Sequence, residues 1–156
     1  MHVRSLVVVS LLIGAAACGS TTDVVATVTL DCTTIAKSLP TGAANFTTTA
    51  DGLKYSDVTV GTGATFVTGN PVSVHYAGCL TNGNRFDANE APALPFAFTL
   101  GIPGIIVGFN EGLAGMKVGG LRQIVIPPAL GYGNATAGTI PPNSTLVFTV
   151  SAVSTP

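Results

Sequence analysis

Tryptophan is absent from this 156-residue chain, and only 8% of its residues are charged. Six Lys and Arg stand against seven Asp and Glu, so there is no basic footprint for nucleic acid. Solubility has to rest on Thr, Ser and Asn instead. Histidine is as scarce: His2 and His75 are the two present, and Cys18, Cys32 and Cys79 lie far apart, so no zinc-ligand pattern can be drawn. The sequence has no Gly-x-Ser-x-Gly elbow and no phosphate-cradling glycine loop. Gly61-Thr62-Gly63 lacks a third glycine and a following helix, and reads as a turn. No apolar run reaches the roughly 20 residues that a membrane-spanning helix needs.

What the chain does have is Gly, Pro, Val and Thr. The 19 Gly and 10 Pro argue against long helices, while Val and Thr favour strands. The length suits one domain with a sizeable core. Strand signals become regular from Leu53 to Val60, then along Val72 to Leu80. In that second run Val72, Val74, Tyr76 and Leu80 share one face, and Ser73, His75, Ala77 and Cys79 the other. Asn82-Gly83 marks a tight hairpin turn. Phe96, Phe98 and Leu100 alternate with Ala97 and Thr99. Leu121 to Ile126 and Thr145 to Val153 repeat the pattern, with Phe148 on the apolar face beside Leu146 and Val150. Ile106 to Ala114 is the one good helix candidate, and Gly115 ends it. These elements predict an antiparallel sheet folded over one short helix, an α+β class.

The N-terminus reads as an export signal. His2 and Arg4 give a basic start, Val7 to Ile13 is apolar, and Ala15-Ala16-Ala17 is a small-residue cleavage region. Removing residues 1–17 takes Arg4 away and shifts the formal charge from −1 to −2. Cys18 directly after three alanines resembles a bacterial lipobox, with Ala15 where Leu is usual. Ordinary cleavage before an unmodified cysteine is the alternative. Residues 18–50 then read as a lipid-anchored tether or N-terminal extension, with Val24 to Leu30 able to form a strand. Residues 51–156 read as the functional domain. The expected location is extracytoplasmic, on a bacterial membrane facing the periplasm or the cell exterior, with membrane contact through the lipid alone.

Two segments carry the functional reading: VHYAGCLTNGNRFD, which supplies Tyr76, Phe86 and Asp87, and MKVGGLRQIVIPPALGYG followed by IPPNSTLVFTV. In this order they resemble the FKBP-type peptidyl-prolyl cis/trans isomerases across roughly Asp51 to Val153. The resemblance implies a strongly twisted sheet of about five strands wrapped around a short helix, acting on proline-containing polypeptides without metal or cofactor and able to take FKBP-directed macrolides. It implies a pocket lined by Tyr76, Phe86, Phe96, Phe109, Ile140 and Phe148, with Ile105 and Ile106 along its edge. The alternation of the strands independently puts Tyr76, Phe96 and Phe148 on inward faces. Core packing is the plainer reading of each ring alone, and their joint order decides for a pocket. Three polar groups are implied to orient substrate: the backbone N–H at Ile106, where the helix opens, the Tyr132 hydroxyl, and Asp87 at the rim, polarising the site or holding Tyr76.

The match departs from the family in places. The pocket floor, usually Trp, is Phe109, which keeps apolar surface but loses the indole N–H. Pro92 stands where a basic partner of the rim Asp is common, and Thr139 where a second Ile is common. A proline-peptide binding or chaperone module without turnover is therefore the rival function. His75, opposite Tyr76 in facing, reads as structural rather than as a general base. If lipid consumes Cys18, two cysteines remain in an oxidising compartment, and pairing of Cys32 with Cys79 is expected.

Overall fold

The computed structural model describes Cys32 and residues 46–156. The leader, Cys18 and the possible strand Val24 to Leu30 lie outside the described residues.

Within residues 46–156 lie seven strands, one α-helix and a 3-10 turn at Pro128–Leu130; the strands and helix are β1 (Thr47–Thr48), β2 (Lys54–Thr59), β3 (Pro71–Leu80), β4 (Arg85–Asn89), β5 (Phe96–Thr99), α1 (Val107–Leu113), β6 (Leu121–Ile126) and β7 (Leu146–Ser154). All pairings are antiparallel, in the order β1-β2-β6-β7-β3-β4, with β5 also on β3. The ten-residue β3 organises the sheet. One of its edges takes β7; the other takes β5 at Pro71–Val74 and β4 at Tyr76–Cys79. The sheet count exceeds the five strands expected because a pair of Thr residues in the supposed tether, β1, pairs with β2, and Arg85–Asn89 beyond the hairpin turn pairs with β3 as β4.

The hairpin at Asn82-Gly83 closes as its sequence requires. Gly83 sits at φ +88°, its N–H donates to the Leu80 carbonyl, and the Asn82 side chain accepts from the Asn84 N–H. The helix lies close against β6, since Gly108 and Gly112 present no side chains there. A Cβ on Gly112 would come within 2.6 Å of Ile124 Cγ2, and one on Gly108 would strike Ile126. Gly115, at φ +76°, then ends the helix and donates its N–H to the Phe66 carbonyl.

The main core lies between the sheet and α1, where Leu53, Phe66, Val74, Leu113, Ile124, Leu146 and Val150 are essentially inaccessible. Arg122 of β6 is buried among them. It grips Asp57 with two hydrogen bonds (2.7 and 3.0 Å), donates to the carbonyls of Gly112 and Ala114 at the helix end, and stacks on Tyr55. Four of the five N–H groups of that guanidinium find an acceptor and its face lies on a ring, which is how a cation survives such burial. On the opposite side of the sheet, Cys79, Val147 and Cys32 form a smaller buried cluster with Val125 against it.

Candidate functional site

The inner face of the sheet and the N-terminal half of α1 enclose an open cleft of about 510 Å³. Its floor is Phe109, buried on the helix face that meets the sheet. The Phe148 ring from β7 stands against it at a centroid distance of 4.9 Å, and the Tyr76 ring from β3 at 5.7 Å. Phe86 meets Phe148 edge-on at 5.5 Å, and Phe96 meets Tyr76 at 5.9 Å. These tilted contacts set positive ring edges against negative ring faces, the favourable arrangement for aromatic pairs. The rings thus support one another around an open space instead of stacking it shut.

Room for two of those rings comes from Gly78, a position the sequence alone did not single out. Any Cβ there would sit 2.7 Å from Phe148 Cε1 and 2.8 Å from Phe86 Cζ. A bulge in the β3–β4 register follows at Gly78/Cys79. Phe98, which alternation puts on the same face as Phe96, lies outside the cleft lining: it stacks on Phe96 at 5.1 Å and meets Phe109 at 6.1 Å, supporting the wall.

One hydrogen bond organises the polar rim. The Tyr76 hydroxyl donates to Asp87 Oδ2 at 2.7 Å, while the Ala88 N–H donates to Asp87 Oδ1. Burial pushes the Tyr76 phenol well above its ordinary pKa, and the hydrogen bond to Asp87 and its negative charge push the same way. Tyr76 is therefore a neutral donor throughout the physiological range. Among the described residues no cation pairs with Asp87: Arg85, two residues earlier, pairs with Glu90 at 2.8 Å.

The other side of the mouth belongs to two loops. Tyr132, 42% exposed, follows a 3-10 turn at Pro128–Leu130 and lines the cleft. Ala137 and Ile140 exchange backbone hydrogen bonds and fold the short loop back, so that exposed Thr139 and buried Ile140 both reach the cleft. Ile106 is the N-cap of α1 and lines the edge with Ile105 and Gly104. The cleft so described brings together Tyr76, Phe86, Asp87, Phe96, Ile105, Ile106, Phe109, Tyr132, Ile140 and Phe148, and adds Gly104, Ala137, Gly138 and Thr139. His75 stays outside it, its Nδ1 bonded to Asn89 Oδ1 at 3.0 Å. Cys32 and Cys79 are joined by a disulfide on the far face, their Cα atoms 5.7 Å apart. Among the described residues no cluster of His, Cys, Asp and Glu could hold a metal ion.

Comparison with known proteins fixes the family. The family model for FKBP-type peptidyl-prolyl cis-trans isomerase matches residues 63–153. This chain belongs to that family. An FK506-binding protein of Neisseria meningitidis serogroup B is 43% identical over 100 residues, which are 64% of this chain and 92% of the relative. FK506-binding protein 4 of Dictyostelium discoideum is 44% identical over 121 residues, 77% of this chain but only 32% of that longer protein. Among solved structures, FkpA from Escherichia coli superposes with a TM-score of 0.68 at 36% identity, covering 80% of this chain and 57% of that one. AtFKBP13 superposes with a TM-score of 0.66 at 33% identity, covering 72% and 99%. The FKBP fold and prolyl cis/trans isomerisation are what this membership carries for residues 63–153.

Proposed function

We propose that the aromatic cleft accelerates rotation about Xaa-Pro bonds in polypeptides folding outside the cytoplasm, with the domain tethered by lipid at Cys18. The single observation that carries the catalytic part is the ring of Tyr76, Phe86, Phe96, Phe109 and Phe148 around an open space, with one neutral donor–carboxylate pair at its rim.

The chemistry follows from the substrate. A prolyl amide resists rotation because its nitrogen lone pair conjugates with the carbonyl, a barrier of roughly 18–20 kcal/mol. Twisting the bond by a quarter turn breaks that conjugation and reduces charge separation. A water-poor, apolar cleft consequently binds the twisted amide better than the planar one, which is the differential binding that catalysis requires. Phe109, Phe148 and Ile140 would take the pyrrolidine ring. The Ile106 N–H and the Tyr132 hydroxyl would hold the carbonyls on either side, so that rotation is confined to the prolyl bond. Asp87, kept in place by Tyr76, sets the polarity of the rim. FK506-type macrolides would occupy the same cleft.

The location rests on the leader-like residues 1–17, the Cys18 context and the Cys32–Cys79 disulfide, since paired cysteines persist in oxidising compartments. Two acyl chains would be needed for stable attachment, because one alone binds marginally. A binding module without turnover is the second reading; the absence of a cation on Asp87 among the described residues favours it. Exchange measured on a panel of Xaa-Pro peptides with the protein lacking residues 1–17 separates the two, acceleration suppressed by macrolide being the expected outcome. Mass spectrometry of the native N-terminus tests the anchor: diacylglycerol on Cys18 is expected, and an unmodified cysteine removes the anchor while leaving the isomerase reading intact.

A further inference from the structure

Asn110 stands on α1 one residue beyond the floor ring Phe109, outside the cleft lining, yet its side chain reaches both ends of the loop that carries Ile105. Its Oδ1 accepts from the Gly101 N–H at 2.8 Å, and its Nδ2 donates to the Ile105 carbonyl at 3.4 Å. The loop between these points bends at Gly101 and Gly104, with φ values of +88° and +107°, and leaves Ile102 47% exposed. A carboxamide offers donor and acceptor at once, so one side chain can fasten both ends.

The second of those contacts has a geometric consequence. The Ile105 carbonyl and the Ile106 N–H belong to one planar trans peptide group and point in opposite directions. Turning the carbonyl toward Asn110 therefore turns the N–H away from it. The next carbonyl, that of Ile106, is taken by the backbone N–H groups of Phe109 (3.1 Å) and Asn110 (3.3 Å). Both peptide groups flanking Ile106 are thus tied to the first turn of the helix. We infer that Asn110 is a positioning residue that sets the direction of the Ile106 N–H toward the substrate carbonyl. The inference rests on one part of the isomerase reading, that the Ile106 N–H is a donor to bound peptide.

The test uses Asn110→Asp and Asn110→Leu in the protein lacking residues 1–17, with the peptide Ala-Leu-Pro-Phe as probe. Asp keeps an acceptor for Gly101 but offers the Ile105 carbonyl no donor; Leu keeps the approximate shape and offers neither. In the wild type the Ile106 amide resonance should shift as peptide is added. In both variants that shift should shrink, and KM should rise about tenfold with kcat nearly unchanged, as expected when a contact common to ground and transition states is weakened. Should the Leu variant fail to fold, the Asp variant decides. Wild-type KM with a wild-type Ile106 shift in the Asp variant would overturn the inference, as would a fall in kcat alone. Its failure is distinguishable from failure of the isomerase reading. A wild type that binds peptide through Ile106 without accelerating exchange removes the isomerase reading and leaves Asn110's role standing. A wild type that turns peptide over with the Ile106 amide unmoved removes the inference alone. No response at either readout removes both.

Discussion

The two faces of β3 serve opposite ends. Its inner side sends Val72 and Val74 into the core and Tyr76 into the cleft, where the Tyr76 ring meets Phe96, Phe109 and Phe148 at tilted angles. Its outer side sends Cys79 into a small cluster with Val147 and Val125, closed covalently by Cys32. A face that must receive a ligand keeps large, rigid rings around space. A face that receives none fills itself with small residues and is stapled. The two meet at the Gly78/Cys79 bulge, where one residue makes room for Phe148 and the next carries the disulfide. If this division is right, damage to one face should separate from damage to the other.

The largest effect is expected from Phe148→Ala. It removes a buried ring from the inner face, so urea unfolding should show a loss of about 3–5 kcal/mol. Turnover of Xaa-Pro peptides should collapse with it, because the cleft loses the wall that faces Phe86 and Phe109. Breaking the outer face should cost nearly as much stability but not turnover. The disulfide closes a 47-residue separation, and on the chain-entropy model its reduction removes about 4 kcal/mol. At a temperature where both forms are folded, reduced and oxidised protein should isomerise a peptide at similar rates. Turnover that falls in step with stability would show the faces to be coupled through Gly78.

Much of this division was legible in the sequence, for a physical reason. Alternation along β3 assigned Tyr76 and Cys79 to opposite faces, because side-chain direction in a strand has period two and burial enforces it. The ordered aromatics likewise fell around one cleft. What the sequence hid were features that depend on contacts between distant segments. Thr47–Thr48 look like tether until β2 offers them an edge. Gly78 is an ordinary strand glycine until two rings from β4 and β7 arrive beside it. Arg122 reads as an unremarkable strand cation, and only the fold brings Asp57, Gly112 and Ala114 to its donors. Asn110 has no pattern at all; its partners are set by how the loop returns over the helix.

Smaller effects sharpen the inner face. Tyr76→Phe should cost about 1 kcal/mol, the usual worth of one hydrogen bond, and free the Asp87 carboxylate to move. It should also change the alkaline limb of stability. Tyr76 is held neutral in the folded protein above its ordinary range, while in the unfolded chain it ionises near pH 10. The unfolded state therefore binds fewer protons there, and the contribution of Tyr76 is fully present below about pH 10 and lost as pH rises beyond it. That part of the slope should vanish in Tyr76→Phe, as read from urea midpoints across the range. The smallest change in stability is expected for Tyr132→Phe: the residue is 42% exposed, so the melting temperature should hold while kcat/KM drops several-fold, roughly the worth of one hydrogen bond to substrate.

The central claim is that the inner face catalyses rotation instead of only binding proline. Exchange spectroscopy addresses it directly, on one apolar Xaa-Pro peptide with a small fraction of oxidised protein lacking residues 1–17. Uncatalysed cis/trans exchange takes about 10–100 s. A clear rise in exchange rate, proportional to protein and abolished in Phe148→Ala, is the expected result. Peptide that demonstrably binds the cleft yet exchanges at the buffer rate would contradict it.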